Sequence, residues 1–388
     1  MDGMSAVGDR PRARPDAAGR AERPLRILMV AARFLPDMGG IETHVNEAGR
    51  RLAAAGHQVT VLTTDRTGRR PIAEMRDGLE ILRVPAWPRQ RDYYLAPGLW
   101  GALMATDCDV VHIQGYHTLV PPLAMLAAIR KRVPFVITFH SGGHSSPWRN
   151  RIRALQSALL APLVRRAARW IAVSRYEADR FSGEMGLPRE RVAIVPNGAG
   201  LALDGAAGEA SATEPLIVSI GRLERYKGHH RAIEAMPRLR ARRPGARLRI
   251  LGEGPYREEL ERLVARLGLG DCVEIGAVPP AERGRLAAVL RSASVVTLLS
   301  DYEAHPVAVM EALALGCPVL VTDGSGFMEM AERGMVRTVP LAASPEAIAE
   351  AMLATLAEPG GRAPLALPSW EACAGQLEAI YRDVGRDR

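Results

Sequence analysis

Two glutamates are separated by seven residues in the segment DYEAHPVAVMEALALGCPVL, residues 301–320. Pro306 suits the first turn of a helix and Gly316 suits its end, so Glu303 is expected in the loop before a helix and Glu311 about a turn and a half inside it. Carboxylates bind diols through charge-assisted hydrogen bonds, and a helix N-terminus binds phosphate. The segment therefore predicts a phosphate site with sugar hydroxyls on both sides. The alternative is two ordinary surface glutamates on a short helix.

The segment GRLERYKGHHRAIEAM, residues 221–236, carries two cations where a second predicted helix begins. Gly221 permits a tight turn, and Arg222 and Lys227 follow it. Only Lys131 and Lys227 are lysines, although Lys and Arg together number 51. A retained lysine suggests a place where a compact ammonium fits and a guanidinium does not. Arg222 and Lys227 are thus predicted to neutralise a pyrophosphate, and the alternative is a solvated loop charge.

The segment FLPDMGGIETHV, residues 34–45, has the matching order of strand, glycine loop and helix in the first half of the chain. Gly39 and Gly40 would let the backbone approach a phosphate closely. A plain tight turn is the alternative explanation.

His140 ends an apolar run in VITFHSGGHSS, residues 136–146, and precedes a loop with Gly142 and Gly143. Ligands of α/β domains bind beyond the carboxyl ends of strands. His140 is therefore a candidate site residue, with a histidine of no functional role as the alternative.

Strands and helices alternate along most of the chain. Strands are predicted at residues 25–31, 59–63, 110–113, 133–138, 171–173, 192–195, 216–220, 248–251, 273–275, 295–299 and 318–322. The alternation predicts an α/β protein with two doubly wound, Rossmann-like domains that face a cleft. The expected divisions are a disordered basic tail (1–23), a first domain (24–196), a linker (197–215), a second domain (216–362) and a C-terminal helix that packs back on the first domain (363–388).

The composition suits a soluble globular protein, with 47% apolar and 24% charged residues. No apolar run reaches the roughly 18–20 residues that a membrane span needs, and the first residues lack the apolar region of a secretion signal. The four cysteines are scattered, which favours a reduced, cytoplasmic setting. The net charge of +8 favours an anionic partner. Nucleic acid is not expected, because no nucleic-acid-binding motif is present.

A segment of the first domain, residues 147–169, is a candidate for contact with an anionic membrane surface. Its apolar residues recur at helical spacing among six arginines: Trp148, Ile152, Leu155, Leu159 and Leu163, with Arg149, Arg151, Arg153, Arg165, Arg166 and Arg169. A basic amphipathic helix of this kind can lie on the inner face of a membrane. The alternative is that the stripe packs on the sheet, and Pro162 is expected to break or kink the helix.

Taken together, these stretches resemble the retaining glycosyltransferases of family four, which have the GT-B fold. The resemblance covers residues 25 to about 385. Its motifs are GG-x-E-x-HV at 39–45, a strand-ending His140, PNG at 196–198, GRL-x-x-x-KG at 221–228, LGEGP at 251–255, E-x7-E at 303–311, ALALGCPVLVT at 312–322 and Trp370-Glu371.

The resemblance implies that the second domain binds a nucleoside-diphosphate sugar. Glu311 would bind the ribose hydroxyls of the nucleotide, and Glu303 would bind hydroxyls of the transferred sugar. Arg222 and Lys227 would hold the diphosphate and stabilise it as it leaves.

In the first domain the resemblance implies that Gly40, beside Gly39, offers its backbone to the diphosphate, and that His140 lies near the donor sugar. No metal or other cofactor is expected, because two cations and a helix end take the place of a metal. Asp107-Cys108-Asp109 has the Asp-x-Asp pattern of metal-dependent glycosyltransferases, but it precedes a buried strand and is explained by capping and turn formation.

The chain departs from the family after the first glutamate, where the family has a small residue, Phe, Gly and an aliphatic residue. The order here is Ala304, His305, Pro306 and Val307. Proline has no N–H, so a backbone hydrogen bond to the donor is expected to be lost at 306. His305 and Val307 remain expected donor-binding residues, and the identity of the sugar is open.

Two other functions are compatible with the scaffold. One is a non-catalytic protein that binds sugar nucleotides or glycans, and the other is a nicotinamide-dependent dehydrogenase. The segment GEGPYR, residues 252–257, lacks the third glycine of a dinucleotide loop, which argues against the dehydrogenase. The hydroxyl acceptor of a transferase could be a lipid-linked sugar, a polysaccharide end or a small metabolite.

Overall fold

The structure, a computed structural model, describes residues 23–37, 39–88, 95–116, 118–140, 147–200, 214–279, 282–357 and 367–386, with the backbone alone for 147–154. Most of the predicted tail (1–23) and linker (197–215) lie outside the described residues, as do Gly142 and Gly143 and the side chain of Trp148.

The first sheet has eight strands in the order β3-β4-β2-β1-β5-β6-β7-β8. Its strands are β1 (Arg26–Val30), β2 (Gln58–Asp65), β3 (Ala73–Arg76), β4 (Leu79–Pro85), β5 (Val110–Gln114), β6 (Phe135–Thr138), β7 (Arg169–Ala172) and β8 (Val192–Ile194). The helices of this part are α1 (Gly40–Ala54), α2 (Gly98–Ala105), α3 (Val120–Lys131), α4 (Pro147–Val164) and α5 (Arg175–Met185).

The second sheet has six parallel strands in the order β11-β10-β9-β12-β13-β14. Its strands are β9 (Leu216–Ile220), β10 (Arg247–Leu251), β11 (Val273–Gly276), β12 (Val295–Leu298), β13 (Val319–Thr322) and β14 (Arg337–Val339). The helices that follow β8 are α6 (His229–Arg242), α7 (Arg257–Arg266), α8 (Arg283–Ser292), α9 (Val307–Ala314), α10 (Phe327–Glu332), α11 (Pro345–Leu356) and α12 (Trp370–Arg386).

The predicted α/β fold of two doubly wound sheets is confirmed. The central strands β12 and β13 are buried at every residue and are apolar apart from one threonine each, as expected for parallel strands that helices cover on both faces. The last helix, α12, packs on the first sheet and its helix α1, where Trp370, Leu377 and Tyr381 join the core cluster of β1 and β2. The hydroxyl of Tyr381 lies 2.6 Å from Nδ1 of His112 on β5.

Three strands, β3, β4 and β14, were not predicted from the sequence. The strands β3 and β4 form an antiparallel hairpin around Asp77 and Gly78, whose φ angles are 50° and 80°. An Asp-Gly pair between strands is a strong hairpin signal, because both positions of the turn need a positive φ. The short strand β14 (Arg337–Val339) was missed because two of its three residues, Arg337 and Thr338, are polar and half-buried, so no apolar run marks it.

The Asp-x-Asp sequence and Lys131 have structural roles. Asp109 accepts hydrogen bonds from the backbone N–H of Arg26 and from its guanidinium, and Asp107 lies 2.6 Å from the same guanidinium. The ammonium of Lys131 donates to the carbonyls of Leu103 and Met104 at the end of α2. Ion pairing with Arg26, rather than capping, therefore accounts for the two aspartates.

Helix α4 runs without interruption through Pro162, so a break at that residue is wrong, whereas a kink there stays a prediction. Only two residues follow Pro162 in the helix, and its missing N–H therefore removes a hydrogen bond near the end of the helix. The apolar residues of α4 do not share one environment. Leu163 packs partly against the core, whereas Leu155 and Leu159 are 60% and 69% exposed.

Two of the six arginines in the candidate membrane segment (residues 147–169) bind other parts of the protein. Arg165 donates to the carbonyl of Met185 at the end of α5, and Arg169 pairs with Asp383 on α12. No helix in the described part of the chain has both the length and the apolar character needed to cross a membrane.

Candidate active site

The loop between β9 and α6 is held by close backbone contacts. Gly228 has a φ of 73°, and a Cβ built on it would lie 1.8 Å from the carbonyl oxygen of Leu299. Only glycine fits such an approach. The loop therefore packs against the end of β12 and places Lys227, in the 3₁₀ turn Arg225–Lys227, beside the residues that follow β12.

Lys227 and Glu303 form a buried ion pair. The Lys227 Nζ to Glu303 Oε1 distance is 2.5 Å, and the side chains are 15% and 11% exposed. The Ser300 hydroxyl donates to the same carboxylate oxygen at 2.9 Å. Burial by itself lowers the pKa of Lys227, but the charge and hydrogen bond of Glu303, together with Tyr226, outweigh burial, and the pKa is raised above its ordinary value. Lys227 is therefore a charged ammonium in a nearly dry site.

The loop around Glu303 is fixed from the side of α10. The backbone N–H of Glu303 donates to the Ser325 hydroxyl at 3.1 Å, and the N–H of Gly326 donates to the carbonyl of Glu303 at 2.9 Å. A Cβ on Gly326 would lie 1.7 Å from the carbonyl oxygen of Ala304. Pro306 lies one residue before α9 rather than in its first turn.

Glu311 lies on α9 as the fifth helical residue, and its partner is Arg283 at the start of α8. The Glu311 side chain is 5% exposed. Burial raises the pKa of Glu311, against the attraction of Arg283. Sequence reasoning missed Arg283, because it stands in an unremarkable charged run and no local signal connects it with Glu311.

At the start of α1 the glycine pair lies next to a buried carboxylate. Gly39 precedes the helix, and a Cβ there would lie 2.6 Å from Oε2 of Glu42, whereas a Cβ on Gly40 would meet nothing within 4 Å. Burial raises the pKa of Glu42, while the charges of Arg33 and Arg222 oppose the shift. Arg222 belongs to the β9–α6 loop of the second domain, so its charge reaches the start of α1 in the first domain.

His140 lies at the end of β6 with a φ of 46°, and its Nε2 is 2.7 Å from Oε1 of Gln114 at the end of β5. Its ring stands edge-on to that of His44, with the centroids 4.6 Å apart. Gln114 was missed, although it ends a strand next to the strand of His140 and the same rule would have found it.

Asn197 connects the two domains. Its Oδ1 lies 2.9 Å from Nδ1 of His44 on α1, and its Nδ2 donates to the carbonyl of His305 at 2.8 Å. Burial lowers the pKa of His44 to about 4, although the Asn197 hydrogen bond favours the charged ring. His44 is thus neutral at physiological pH.

His305 and Val307, on either side of Pro306, differ in what they offer a ligand. Nδ1 of His305 is buried and has no hydrogen-bond partner among the described residues, and burial lowers the pKa of His305 to about 4. The side chain of Val307 packs into the core cluster of the first domain, which leaves its backbone N–H at the helix start as the group that could face a ligand.

The structure brings two of the predicted site residues, Lys227 and Glu303, into direct contact. Glu311 and His140 make their hydrogen bonds instead with Arg283 and Gln114. In the described ranges, no group of three or more His, Cys, Asp or Glu side chains is arranged to hold a metal ion.

Two family models match the chain, one for each half. Residues 38–202 match the model described as Glycosyltransferase Family 4, and residues 206–366 match the model described as Glycosyl transferases group 1. The first match contains α1 and His140, and the second contains the loops of Lys227, Glu303 and Glu311.

Two curated relatives cover most of the chain. The D-inositol 3-phosphate glycosyltransferase of Nocardiopsis dassonvillei is 29% identical, over 92% of this chain and 94% of its own. The GDP-mannose:cellobiosyl-diphosphopolyprenol alpha-mannosyltransferase of Xanthomonas campestris is 28% identical, over 79% of this chain and 81% of its own. Among solved structures, Anabaena HepE in complex with UDP and glucose has the same fold, with a TM-score of 0.68, 18% identity and coverage of 94% of this chain and 98% of HepE.

Proposed function

The chain belongs to glycosyltransferase family 4, and we propose that it moves a sugar from a nucleoside-diphosphate sugar to a hydroxyl acceptor with retention of configuration at the anomeric carbon. The observation that carries this proposal is the buried ion pair of Lys227 and Glu303 at the carboxyl end of the second sheet. In this proposal the Lys227 cation supports a leaving diphosphate, and the Glu303 carboxylate beside it binds sugar hydroxyls.

In the second domain, the ribose of the nucleotide binds to Glu311 and the hydroxyls of the transferred sugar bind to Glu303. The diphosphate lies between Arg222 and Lys227. In the reaction the bond from the anomeric carbon to the phosphate oxygen breaks, and the bonding electrons leave with the diphosphate. The acceptor oxygen forms the new bond to the anomeric carbon on the same face, and its proton passes to the leaving diphosphate. Fixed cations in a dry site stabilise that developing charge at little cost of reorganisation.

The first domain closes the site from the other side. The glycine loop of Gly39 and Gly40 approaches the diphosphate with its backbone, and a Cβ on Gly40 would point into open space where the ligand is expected. His140, oriented by Gln114, lies on the side of the donor sugar. His305 and the backbone of Val307 complete the donor site.

The reaction needs no metal ion in this proposal. Arg222 and Lys227 supply the positive charge that a divalent cation would otherwise supply. The two glutamates have partners or roles that do not involve a metal, because Glu303 is paired with Lys227 and Glu311 with Arg283.

The acceptor is proposed to be lipid-linked, with the protein at the inner face of a membrane in the cytoplasm. The exposed Leu155 and Leu159 on α4 offer apolar contact, and the net charge of +8 favours an anionic surface. The name of the Xanthomonas relative describes transfer from GDP-mannose to a polyprenol-linked acceptor. All four cysteines are free and buried, as expected in a reducing compartment.

The experiment that tests the transferase function measures release of nucleoside diphosphate from UDP-glucose, GDP-mannose and related donors, first alone and then with lipid-linked and soluble acceptors. Donor-dependent release that Lys227→Met abolishes supports the proposal. Binding of a donor without any release, under every acceptor condition, would favour a non-catalytic sugar-nucleotide binding protein.

A further inference from the structure

The counter-ion of Glu311 comes from a helix that none of the site motifs includes. Arg283 is the first residue of α8, and its Nη2 donates to Oε1 of Glu311. The Glu311 side chain is 5% exposed, whereas that of Arg283 is 32% exposed. The pair therefore joins a buried carboxylate to a cation that reaches solvent.

The surroundings of Glu311 disfavour its charge. Burial raises the pKa of Glu311, Arg283 opposes this shift, and the carboxylate of Glu47 on α1 adds to it. The strands against which α9 packs, β12 and β13, carry no charged side chain along VVTL and VLVT. Among the described residues, Arg283 is thus the cation that favours the charged form of Glu311.

We propose that Arg283 is a positioning residue for nucleotide binding: its guanidinium holds the Glu311 carboxylate in place and charged, and the two ribose hydroxyls of the nucleotide then replace it. The inference rests on the proposed role of Glu311 as the ribose ligand. A carboxylate accepts two hydrogen bonds from a diol, whereas a protonated carboxyl group must use one oxygen as a donor. Arg283 can release Glu311 towards solvent without leaving a buried cation behind.

The test is a pH series of nucleotide affinity. UDP and GDP are titrated by calorimetry at pH 6, 7 and 8 into the wild type, Arg283→Met, Arg283→Lys and Arg285→Met, and each Kd is divided by the wild-type Kd at the same pH. Protonation of the nucleotide phosphates affects the Kd of the wild type and of the variant alike, so its effect cancels in this ratio. Arg285 is the matched control, because it lies on the same helix and pairs with Glu282 at the surface.

For Arg283→Met we expect the ratio of variant Kd to wild-type Kd to grow as the pH falls, by up to about tenfold per pH unit, because a proton competes with the ribose for Glu311. For Arg283→Lys and Arg285→Met we expect ratios that stay flat. The thermal midpoint of each variant, measured without nucleotide, shows whether that variant is folded. If Arg283→Met does not fold, the inference is tested on Arg283→Lys, whose Kd ratio must not change with pH.

Three results would overturn the inference: a flat ratio near one for Arg283→Met, tighter binding by Arg283→Met at every pH, or a steep profile for Arg283→Lys. Glu311→Gln separates these from a failure of the proposed function. If Glu311→Gln binds nucleotide as the wild type does, the ribose role of Glu311 is wrong and the inference falls with it. If Glu311→Gln binds weakly while Arg283→Met has a flat profile, only the role of Arg283 is wrong.

Discussion

The ammonium of Lys227 and the carboxylate of Glu303 lie 2.5 Å apart, although 76 positions separate them in the chain. The contact exists because β9 and β12 are neighbours in the second sheet, so the loops that follow them meet at one edge. A Lys at the first loop and a Glu at the second therefore share one nearly dry site.

Replacing Lys227 by Arg should lower kcat at least about tenfold, which corresponds to roughly 1.4 kcal/mol of transition-state stabilisation. The charge is preserved, but the planar guanidinium is larger than the ammonium and does not match a single point contact beside Glu303. Steady-state rates with the active donor check this. Lys131→Arg is the control, because Lys131 only caps α2, and its rate should stay within about twofold. Wild-type turnover in Lys227→Arg would show that this lysine has no special role.

Replacing Glu311 by Ala should weaken nucleotide binding by about 1.5–3 kcal/mol, the value of a hydrogen bond to a charged group. Calorimetry with UDP or GDP measures the change. Glu282 directly precedes the neighbouring helix α8 and pairs with Arg285 at the surface, so Glu282→Ala should bind as the wild type does. Unchanged affinity in a folded Glu311→Ala would remove Glu311 from the nucleotide site.

Treatment with a chelator should leave the transfer rate unchanged, because Arg222 and Lys227 supply the positive charge at the diphosphate. The measurement compares initial rates with and without excess EDTA. Loss of activity in EDTA, together with recovery on addition of Mg²⁺ or Mn²⁺, would contradict the metal-independent proposal.

Acid should destabilise the protein below about pH 6.5, the ordinary pKa of histidine. Burial lowers the pKa of His44 and of His305 to about 4, so between these two pH values the unfolded chain binds more protons than the folded one. The free energy of unfolding then falls as the pH falls, by up to about 1.4 kcal/mol per pH unit for each such histidine. Urea unfolding at pH 7.5 and pH 5 checks this, and His44→Gln should show a smaller difference than the wild type. A His44→Gln variant with the same stability difference as the wild type would disprove the buried, neutral state of His44.

Vesicles with anionic lipid should bind the protein at low salt and release it at high salt, because contact would depend on charge and on a small apolar area. Co-sedimentation measures the bound fraction. Leu155→Ser with Leu159→Ser should weaken it, whereas Ile72→Ser, at a residue that is 78% exposed on the chain between β2 and β3, should not. A wild-type protein that stays in the supernatant at low salt would make a soluble acceptor the better hypothesis.

Local sequence determined the fold class and the positions of the candidate residues. Apolar runs, turn glycines and helical periodicity are short-range signals, so they located most of the strands and placed Lys227, Glu303 and Glu311 in or after the loops that end strands. The rarity of lysine singled out Lys227 before any contact was visible. Even the hairpin of β3 and β4 had its signal in Asp77-Gly78, which sequence reasoning overlooked.

Tertiary structure decided which residues face each other. Arg283 meets Glu311, Gln114 meets His140, and Asn197 spans from His44 to the carbonyl of His305. These partners lie between 26 and 153 positions apart. Such pairs follow from the order of strands in each sheet and from the packing of one domain on the other. Neither can be predicted from the spacing of residues along the chain. The charge state of a buried group is decided in the same way, since it depends on the neighbours that folding brings to it.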